Sequence, residues 1–564
     1  MNISKESLTK RGLTLIPVSE IEINYDPEET VGYDLTVDDY YTFATQDGIF
    51  IQDCMAVYIP ITKESEQETR EKLLVTKNLN SPTNGSLTTI PSQDVILGIF
   101  SLTADKFSSL QRKVNYKGVE ISEGIKIFNE CLPDDYPLIN EAITKKKLLN
   151  LLNDIVSKYD ENTTMLTLDN VKKEGFKYAT LYGTTMSLDG FTFEESQEIR
   201  DKLYDSTDVR SQLDAISNAE TNQILKDNFA YSYMIESGAR GTWDQAKQII
   251  LTRGFVSNFS GEILETPIKH SLPEGLNREE FFNSTYGCRK GLLDVALNTG
   301  SSGYLSRKMI FACVNLQMDP DLDDCGTTDY LEVYINNKQK AKMLVGRYFL
   351  ENDKLLQIPN DNYQGFVGKT IKLRSPIFCK SSRVCCKCYG DLYKILDSRF
   401  IGVIAAQALG ERSTQLTLRT FHTSGLAVTK GNSEKDSEGK MKQMDIISDL
   451  ASASNFLHQF KGRNYKDIVE GLFKIYNRNG NIHHVHFECV VSQLMWYKSS
   501  RWRLLKERDK LPPEYHSVQS VPAFESWLLS LAFSNPKKSI LRGVINSDSY
   551  RGVMDSILRG EEVE

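Results

Sequence analysis

The spacing of apolar residues changes character along the chain, and each change predicts a different kind of element. Between residues 13 and 53 the runs Leu13–Val18, Glu20–Ile23, Tyr33–Val37, Tyr40–Thr45 and Gly48–Ile51 are separated by turn residues at Asn24–Glu29 and Gln46-Asp47-Gly48. Short runs with such punctuation predict β-strands. Helical spacing takes over at 64–77 and 140–158, with a turn cluster at Ser81–Gly85 between them. A helical stretch at 218–252 is broken by Ser237-Gly238-Ala239-Arg240-Gly241. A longer helix is predicted from about Glu279 to Leu316, opened by Pro273 and Glu274 and carrying Leu292, Leu293, Ala296, Leu305, Met309, Ile310 and Cys313. Its middle, Thr299-Gly300-Ser301-Ser302-Gly303, holds glycines that cost about 1 kcal/mol each against alanine. Such a segment is either two helices or one helix built to bend. Further helices are predicted at 400–424 and 442–459. The polar run Lys430–Lys440 between them suggests a helical hairpin with a mobile tip.

Length and composition fit this mixture. A chain of 564 residues exceeds what one core usually supports, and 40% hydrophobic with 25% charged residues is a globular balance. No apolar run approaches the ~20 residues of a membrane span, and Met1–Lys5 opens no signal peptide. The expected compartment is the cytoplasm, with no membrane partner. No fixed-period repeat or long low-complexity tract is present. The net charge of −8 lies in residues 1–53, which hold three basic and eleven acidic side chains; the rest carries 64 of each. An isolated DNA-binding domain usually shows a basic excess, which is absent here, but a neutral chain leaves room for local basic surfaces inside an assembly.

Five cysteines stand alone: Cys54, Cys131, Cys288, Cys313 and Cys489. Five others cluster: Cys325, Cys379, Cys385, Cys386 and Cys388. Cys385-x-x-Cys388, with Cys379 before it and Cys325 ahead of Gly326, offers four thiolates of the kind that hold structural Zn²⁺, leaving no open position for water. The alternatives are buried structural thiols, or Cys386 in place of Cys385. A redox C-x-x-C would need a βαβ unit that the neighbouring pattern does not give.

Residues 405–422, Ala-Ala-Gln-Ala-Leu-Gly-Glu-Arg-Ser-Thr-Gln-Leu-Thr-Leu-Arg-Thr-Phe-His, lie in a run from 398 to 427 that is very similar to the trigger loop of bacterial RNA polymerase β′. Residues 263–308, including Gly-Cys-Arg-Lys-Gly-Leu-Leu-Asp-Val-Ala-Leu-Asn-Thr-Gly at 287–300, resemble that family's bridge helix and its approach. Gly175–Thr185 and Glu236–Thr242 resemble segments upstream of it, and Met55–Pro60, Ser81–Gly85 and Pro91–Gly98 the stretch after the catalytic loop. The order is the family's, and the likeness covers about residues 54–460, thinning beyond.

The resemblance implies a helix-rich, multidomain α+β fold. Residues 54–262 would follow the catalytic loop as pore, funnel and F-loop regions. Residues 263–316 would be the bridge helix and its approach, 317–397 a zinc-binding region, 398–460 the trigger hairpin and 461–564 a shortened C-terminal region. It places zinc on Cys325, Cys379, Cys385 and Cys388, with Cys386 still competing for the third position. Thr299 and Gly300 would sit against the template base, with Tyr304 and Arg307 near it and Arg240 on an upstream loop. Leu418 would pack on the incoming base, where the family usually has methionine, and Gln415 would position the ribose. Arg419 and His422 would reach the phosphates, His422 as proton donor to pyrophosphate. Arg412 and Ser413 replace the family's usual proline and glycine.

The family's Asn-Ala-Asp-Phe-Asp-Gly-Asp, whose carboxylates hold catalytic Mg²⁺, is absent from this sequence. It would precede Met55. In its place, residues 32–54 resemble the end of an intein, so that 1–53 would be a C-terminal intein segment. Cys54 would take over an upstream chain, and Asp53, preceded by Gln52, would cyclise to release the intein. Asp53 replaces the usual asparagine and Gln52 the usual histidine, so a remnant that no longer splices is the competing reading. The expected partners are an upstream β′ fragment carrying the aspartates, β-type subunits, a specificity factor, DNA template, RNA product and nucleoside triphosphates. A split, intein-bearing subunit suggests a bacteriophage origin and the host cytoplasm or a virion. The alternatives are a non-catalytic polymerase paralogue or assembly subunit, and a protein whose remaining activity is splicing alone.

Overall fold

A computed structural model of the chain describes residues 59–104, 110–183, 186–191, 196–205, 211–212, 215–216, 219–256, 263–352, 354–396, 398–423, 465–477 and 481–496, with short strands at 42–44, 50–52, 426–427, 433–435, 441–443 and 514–515. Residues 1–70 and 71–564 form separate compact units.

In the first unit, Thr42–Ala44 pairs antiparallel with Phe50–Gln52, Phe43 opposite Ile51. These strands lie within a residue or two of the predicted Tyr40–Thr45 and Gly48–Ile51; the other three predicted strands, Asp53 and Cys54 lie outside the described residues. The expected helix over 64–77 is instead a composite. An α-helix at Lys63–Glu68, capped where Thr62 Oγ1 accepts from Ser65 N at 3.1 Å, passes into a π turn at Thr69–Leu73 and a 3₁₀ turn at Val75–Lys77. No residue of these three turns is buried, so no core holds them to one α-helical register.

The second unit is built on crossings of buried helices. Helix α1, Asp94–Thr103, is buried from Val95 to Thr103 and crosses α2, Glu161–Tyr182. Gly98 permits the close approach, since a Cβ there would fall 1.8 Å from the Gly175 carbonyl oxygen. The predicted helix at 140–158 begins later, at Lys145.

Helix α3, Arg278–Cys313, is one continuous helix of 36 residues, which decides between the two readings of its glycine-bearing centre. It does not open at Pro273 or Glu274. Asn277 is the cap: its side chain accepts from Glu280 N, and the Glu280 carboxylate accepts from Asn277 N. Glu280 also accepts from Lys269 N, His270 N and the His270 ring. Burial alone would raise the Glu280 carboxyl, but these donors hold it below its ordinary range. Glu274 pairs with the buried Arg200 instead.

A four-stranded antiparallel sheet follows, in the order Leu331–Tyr334, Thr370–Leu373, Tyr348–Glu351, Lys354–Gln357. Helix α4, Ile401–Thr423, then packs along α3; a Cβ on Gly402 would come within 2.0 Å of the Cys313 carbonyl oxygen. Its range matches the predicted 400–424. The helix predicted from 442 does not begin there: Met441–Gln443 is a strand paired with Ser433–Lys435, inside the stretch read as a polar tip. Residues 444–464 lie outside the described residues. Helices α5, Tyr465–Tyr476, and α6, His484–Leu494, complete one core. It joins Leu305, Met309 and Cys313 with Leu373, Ala405, Leu409, Leu472 and Val490.

This core encloses charge. Arg347 and Glu488, both fully buried, form a two-pronged ion pair at 2.6 and 2.8 Å, and Glu488 also meets His484 Nδ1 at 2.7 Å. Burial would raise the Glu488 carboxyl, but Arg347 and His484 hold it at about 2. His483 and His486 are buried against the carbonyls of Val345 and Pro82, and burial lowers them to about 3 and about 4. Because the unfolded chain takes up protons near pH 6.5, stability from these imidazoles is complete above that pH and is lost as pH falls toward 4. At pH 5 the loss is about 2 kcal/mol for each histidine. Hydrogen-exchange protection of α6, measured between pH 7.5 and 5, should fall accordingly; a flat profile would contradict neutral, buried imidazoles. Among the described residues no helix is long and apolar enough to cross a membrane.

Candidate metal centre and the open face of the long helix

Four sulfurs meet where the turn after the sheet folds back on the segment after α3. Cys325 follows Asp324 on that segment, Cys379 closes the 3₁₀ turn Pro376–Phe378, and Cys385 and Cys388 flank the start of the short helix Cys386–Tyr389. Their sulfur atoms all lie within 4.8 Å of one another, and Cys325 and Cys388 are 3.7 Å apart. A tetrahedron with metal–sulfur distances of ~2.3 Å has edges of roughly 3.8 Å, so this set suits Zn²⁺. Backbone amides already point at two of the sulfurs, Lys380 N to Cys325 and Cys385 N to Cys379, each at 3.4 Å. The contacts among the four thiols hold Cys325 well below the ordinary thiol range but push Cys379 and Cys388 up, because sulfurs this close cannot all carry charge without a cation between them. Cys386 stands apart: its sulfur faces the Pro320 carbonyl at 3.3 Å.

The polar surroundings were not foreseen from the sequence. Arg374, 2% exposed, pairs with Asp324 at 2.5 Å and directs the same Nη2 at the sulfurs of Cys388, 3.5 Å, and Cys325, 3.6 Å. Only the adjacency of Asp324 to Cys325 could have signalled it.

Backbone bonds beside the cysteine cluster also fasten α3 to α4. Met318 N donates to Arg399 O, Gly402 N to Leu316 O and Val384 N to Gln317 O. Beyond this knot, α3 turns Leu305, Met309 and Ala312 into the core and leaves Gly300, Gly303, Tyr304 and Arg307 exposed, three or four residues apart on one face. Among the described residues a Cβ on Gly300 or Gly303 would meet nothing within 4 Å, so their packing does not demand glycine there. Lys308 sets its ammonium 4.0 Å from the centre of the Tyr304 ring, and burial lowers its pKa. The Arg307 guanidinium lies 5.8 Å from the Phe311 ring. Thr299 is in the helix; its side chain is outside what is described.

Gln415, Leu418, Arg419 and His422 fall in the C-terminal half of α4, and their side chains are likewise undescribed. The helix runs unbroken through Arg412 and Ser413, where the resembling family has proline and glycine. Ser413 is buried, bonded to Leu409 O and to the Tyr476 hydroxyl at 3.3 Å. Just past α4, Leu426–Ala427 pairs with Phe255–Val256. Arg240 is exposed in the turn before helix Trp243–Ile250, between Gly238 and Gly241, both at positive φ. It lines a largely apolar cavity of about 330 Å³ with Phe229, Tyr231 and Met234. Gln52 is the last residue of its strand.

Comparison with known proteins agrees with this architecture. Residues 275–506 match the family model for RNA polymerase Rpb1, domain 5. The chain is 30% identical over 526 residues to the DNA-directed RNA polymerase subunit beta' of Sulfurihydrogenibium sp., covering 76% of this chain and 32% of the relative. The same-named subunits of Kineococcus radiotolerans and Paenarthrobacter aurescens are 32% and 33% identical over 478 and 494 residues. These cover 68% and 71% of this chain, and 37% and 38% of the relatives. The chain thus spans about a third of the length of the relatives it matches. It is a homologue of the β′ subunits of bacterial-type DNA-directed RNA polymerase, similar to their C-terminal part and carrying Rpb1 domain 5.

Proposed function

We propose that this chain supplies the bridge helix and the trigger loop of a multisubunit DNA-directed RNA polymerase whose catalytic aspartates reside on another fragment. The observation that carries this reading is the open stripe of Gly300, Gly303, Tyr304 and Arg307 beside the turns that Leu305, Met309, Ala312 and Cys313 lock into the core. Two glycines that would meet no described residue suit a neighbour that lies outside the chain, as a template base would. In this reading Thr299 and Gly300 support the templating base, with Tyr304, Arg307 and Arg240 lining the nucleic-acid path. Leu418 packs on the incoming base, Gln415 positions its ribose, and Arg419 and His422 engage its phosphates. Folding of the 398–460 hairpin over a matched nucleotide excludes water and completes the site. Mg²⁺, held mainly by the partner fragment, supplies charge neutralisation at the transferring phosphoryl group. The four-cysteine centre takes structural zinc in the 317–397 region.

Residues 1–53 act as the C-terminal half of a split intein, with Gln52, Asp53 and Cys54 joining the upstream β′ fragment to residue 54 of a phage-encoded subunit in the host cytoplasm. Co-expression with an upstream β′ fragment and β-type subunits tests both parts. The purified assembly should extend RNA on a DNA template, and its product should exceed 64.0 kDa with a peptide running from an aspartate-rich motif into Cys54-Met55-Ala56. A chain that stays at 64.0 kDa refutes splicing, and an assembled but inert complex refutes the polymerase reading.

A further inference from the structure

We propose that Arg374 is the counter-cation of the zinc centre, and that its donation to the Cys325 and Cys388 sulfurs governs how tightly the metal is retained. A Zn²⁺ ion bound by four thiolates carries two net negative charges, and such charge is costly in a buried place without a partner. Cys379, Cys385 and Cys388 are buried, and the guanidinium aimed at the cluster is buried with them. Its Nη2 lies 3.5 and 3.6 Å from two of the sulfurs, distances suited to charge-assisted N–H···S bonds.

Asp324 fixes this aim. It meets Nη2 at 2.5 Å and Nη1 at 3.5 Å, while its own oxygen accepts from Gly326 N. The Asp324 side chain is about a third exposed, so solvent screens its charge and its main effect is orientation. The backbone holds the arginine independently of its side chain: Arg374 N donates to Tyr348 O, and the Arg374 carbonyl accepts from Arg347. Substituting the side chain therefore leaves the sheet edge bonded. Donation to coordinating sulfur draws electron density from the thiolates, so its loss should make them more basic and the metal easier to remove. Partners of this kind change metal affinity by about 10- to 100-fold.

The inference rests on the four sulfurs being a zinc centre, and the experiment separates the two claims. The full chain, purified with its zinc, is challenged with a chromophoric chelator alongside Arg374→Gln, Arg374→Lys and Asp324→Asn. Zinc release should accelerate by about tenfold or more in Arg374→Gln, and less in Arg374→Lys, which keeps the charge but loses the planar fork. Asp324→Asn should give a smaller acceleration. A purely structural role would not alter the metal's electronic spectrum, so Co²⁺ replaces zinc in a second measurement. Loss of the donors in Arg374→Gln should move the sulfur-to-cobalt charge-transfer band to lower energy, with partial recovery in Arg374→Lys. One zinc per chain with unchanged release and an unmoved band in Arg374→Gln would overturn the assignment of Arg374 alone. A purified chain that binds no zinc would overturn the zinc reading and this proposal together.

Discussion

Cys385→Ser is expected to abolish zinc binding and to loosen the junction of α3 and α4, whereas Cys386→Ser, one residue away, should retain one zinc per chain. Four sulfurs within 4.8 Å of one another close a tetrahedral site only together, and a serine hydroxyl is a poor substitute for a thiolate. Structural zinc contributes on the order of 10 kcal/mol to small metal-dependent folds, more than the whole stability of many domains. The loss should not stay local. Val384 beside the site bonds to Gln317, and Met318 and Leu316 bond to Arg399 and Gly402 at the start of α4. Cysteine ligands, both helix ends and the sheet belong to one apolar core. Hydrogen exchange should therefore accelerate at 309–318 and 399–409 in Cys385→Ser, while α1 and α2, which have their own core, remain protected. Cys386→Ser preserves a donor to the Pro320 carbonyl and should cost no more than about 1–2 kcal/mol. Equal zinc content in the two variants would refute the assignment of Cys385.

Arg419→Ala combined with His422→Ala is expected to slow nucleotide addition by the assembled polymerase by at least about 100-fold. A positioned general acid contributes roughly 10²–10⁴ in rate, and a cation aimed at developing phosphate charge adds to it. The two singles should separate. His422→Ala should lower kcat with little change in KM, because proton donation is needed only as pyrophosphate departs. Arg419→Ala should raise KM as well, because it also grips the bound triphosphate. Both residues lie in the last turns of α4, far from Ile401 and the buried Ala405 and Leu409 that anchor it, so neither change should disturb the metal centre. RNA synthesis unaffected by the pair would favour a non-catalytic paralogue.

Elements whose pattern is strong and local were legible in the sequence. The apolar spacing of α3 and α4 gave their lengths within a few residues, because a helix buried along one side must repeat its apolar residues every three or four positions. The cap of α3 was misplaced because Pro273 and Glu274 look like a helix opening, and the reciprocal bonds between Asn277 and Glu280 identify the true one. Helix α2 escaped pattern reading because its buried face includes Thr164, Thr167 and Gly175, weak hydrophobic signals that depend on α1 lying against them. The strands of the 331–373 sheet are four residues long, too short for periodicity to declare.

By itself, then, the sequence determined the extent of the helical stretch at 279–316, its partner at 400–424, the run from Gln415 to His422 and the presence of a cysteine cluster. These are properties of neighbours along the chain or of residues repeating at short intervals. The tertiary structure alone decided that the glycine-rich centre of α3 continues one helix, that Cys385 rather than Cys386 joins the sulfurs, and that Gly300, Tyr304 and Arg307 share an open face. It alone brought Arg374 to sulfurs contributed from 49 and 14 residues away, and Arg347 to Glu488 across 141. A buried charge is stable only beside a partner fixed by the fold, and no local pattern in the sequence records which partner that is.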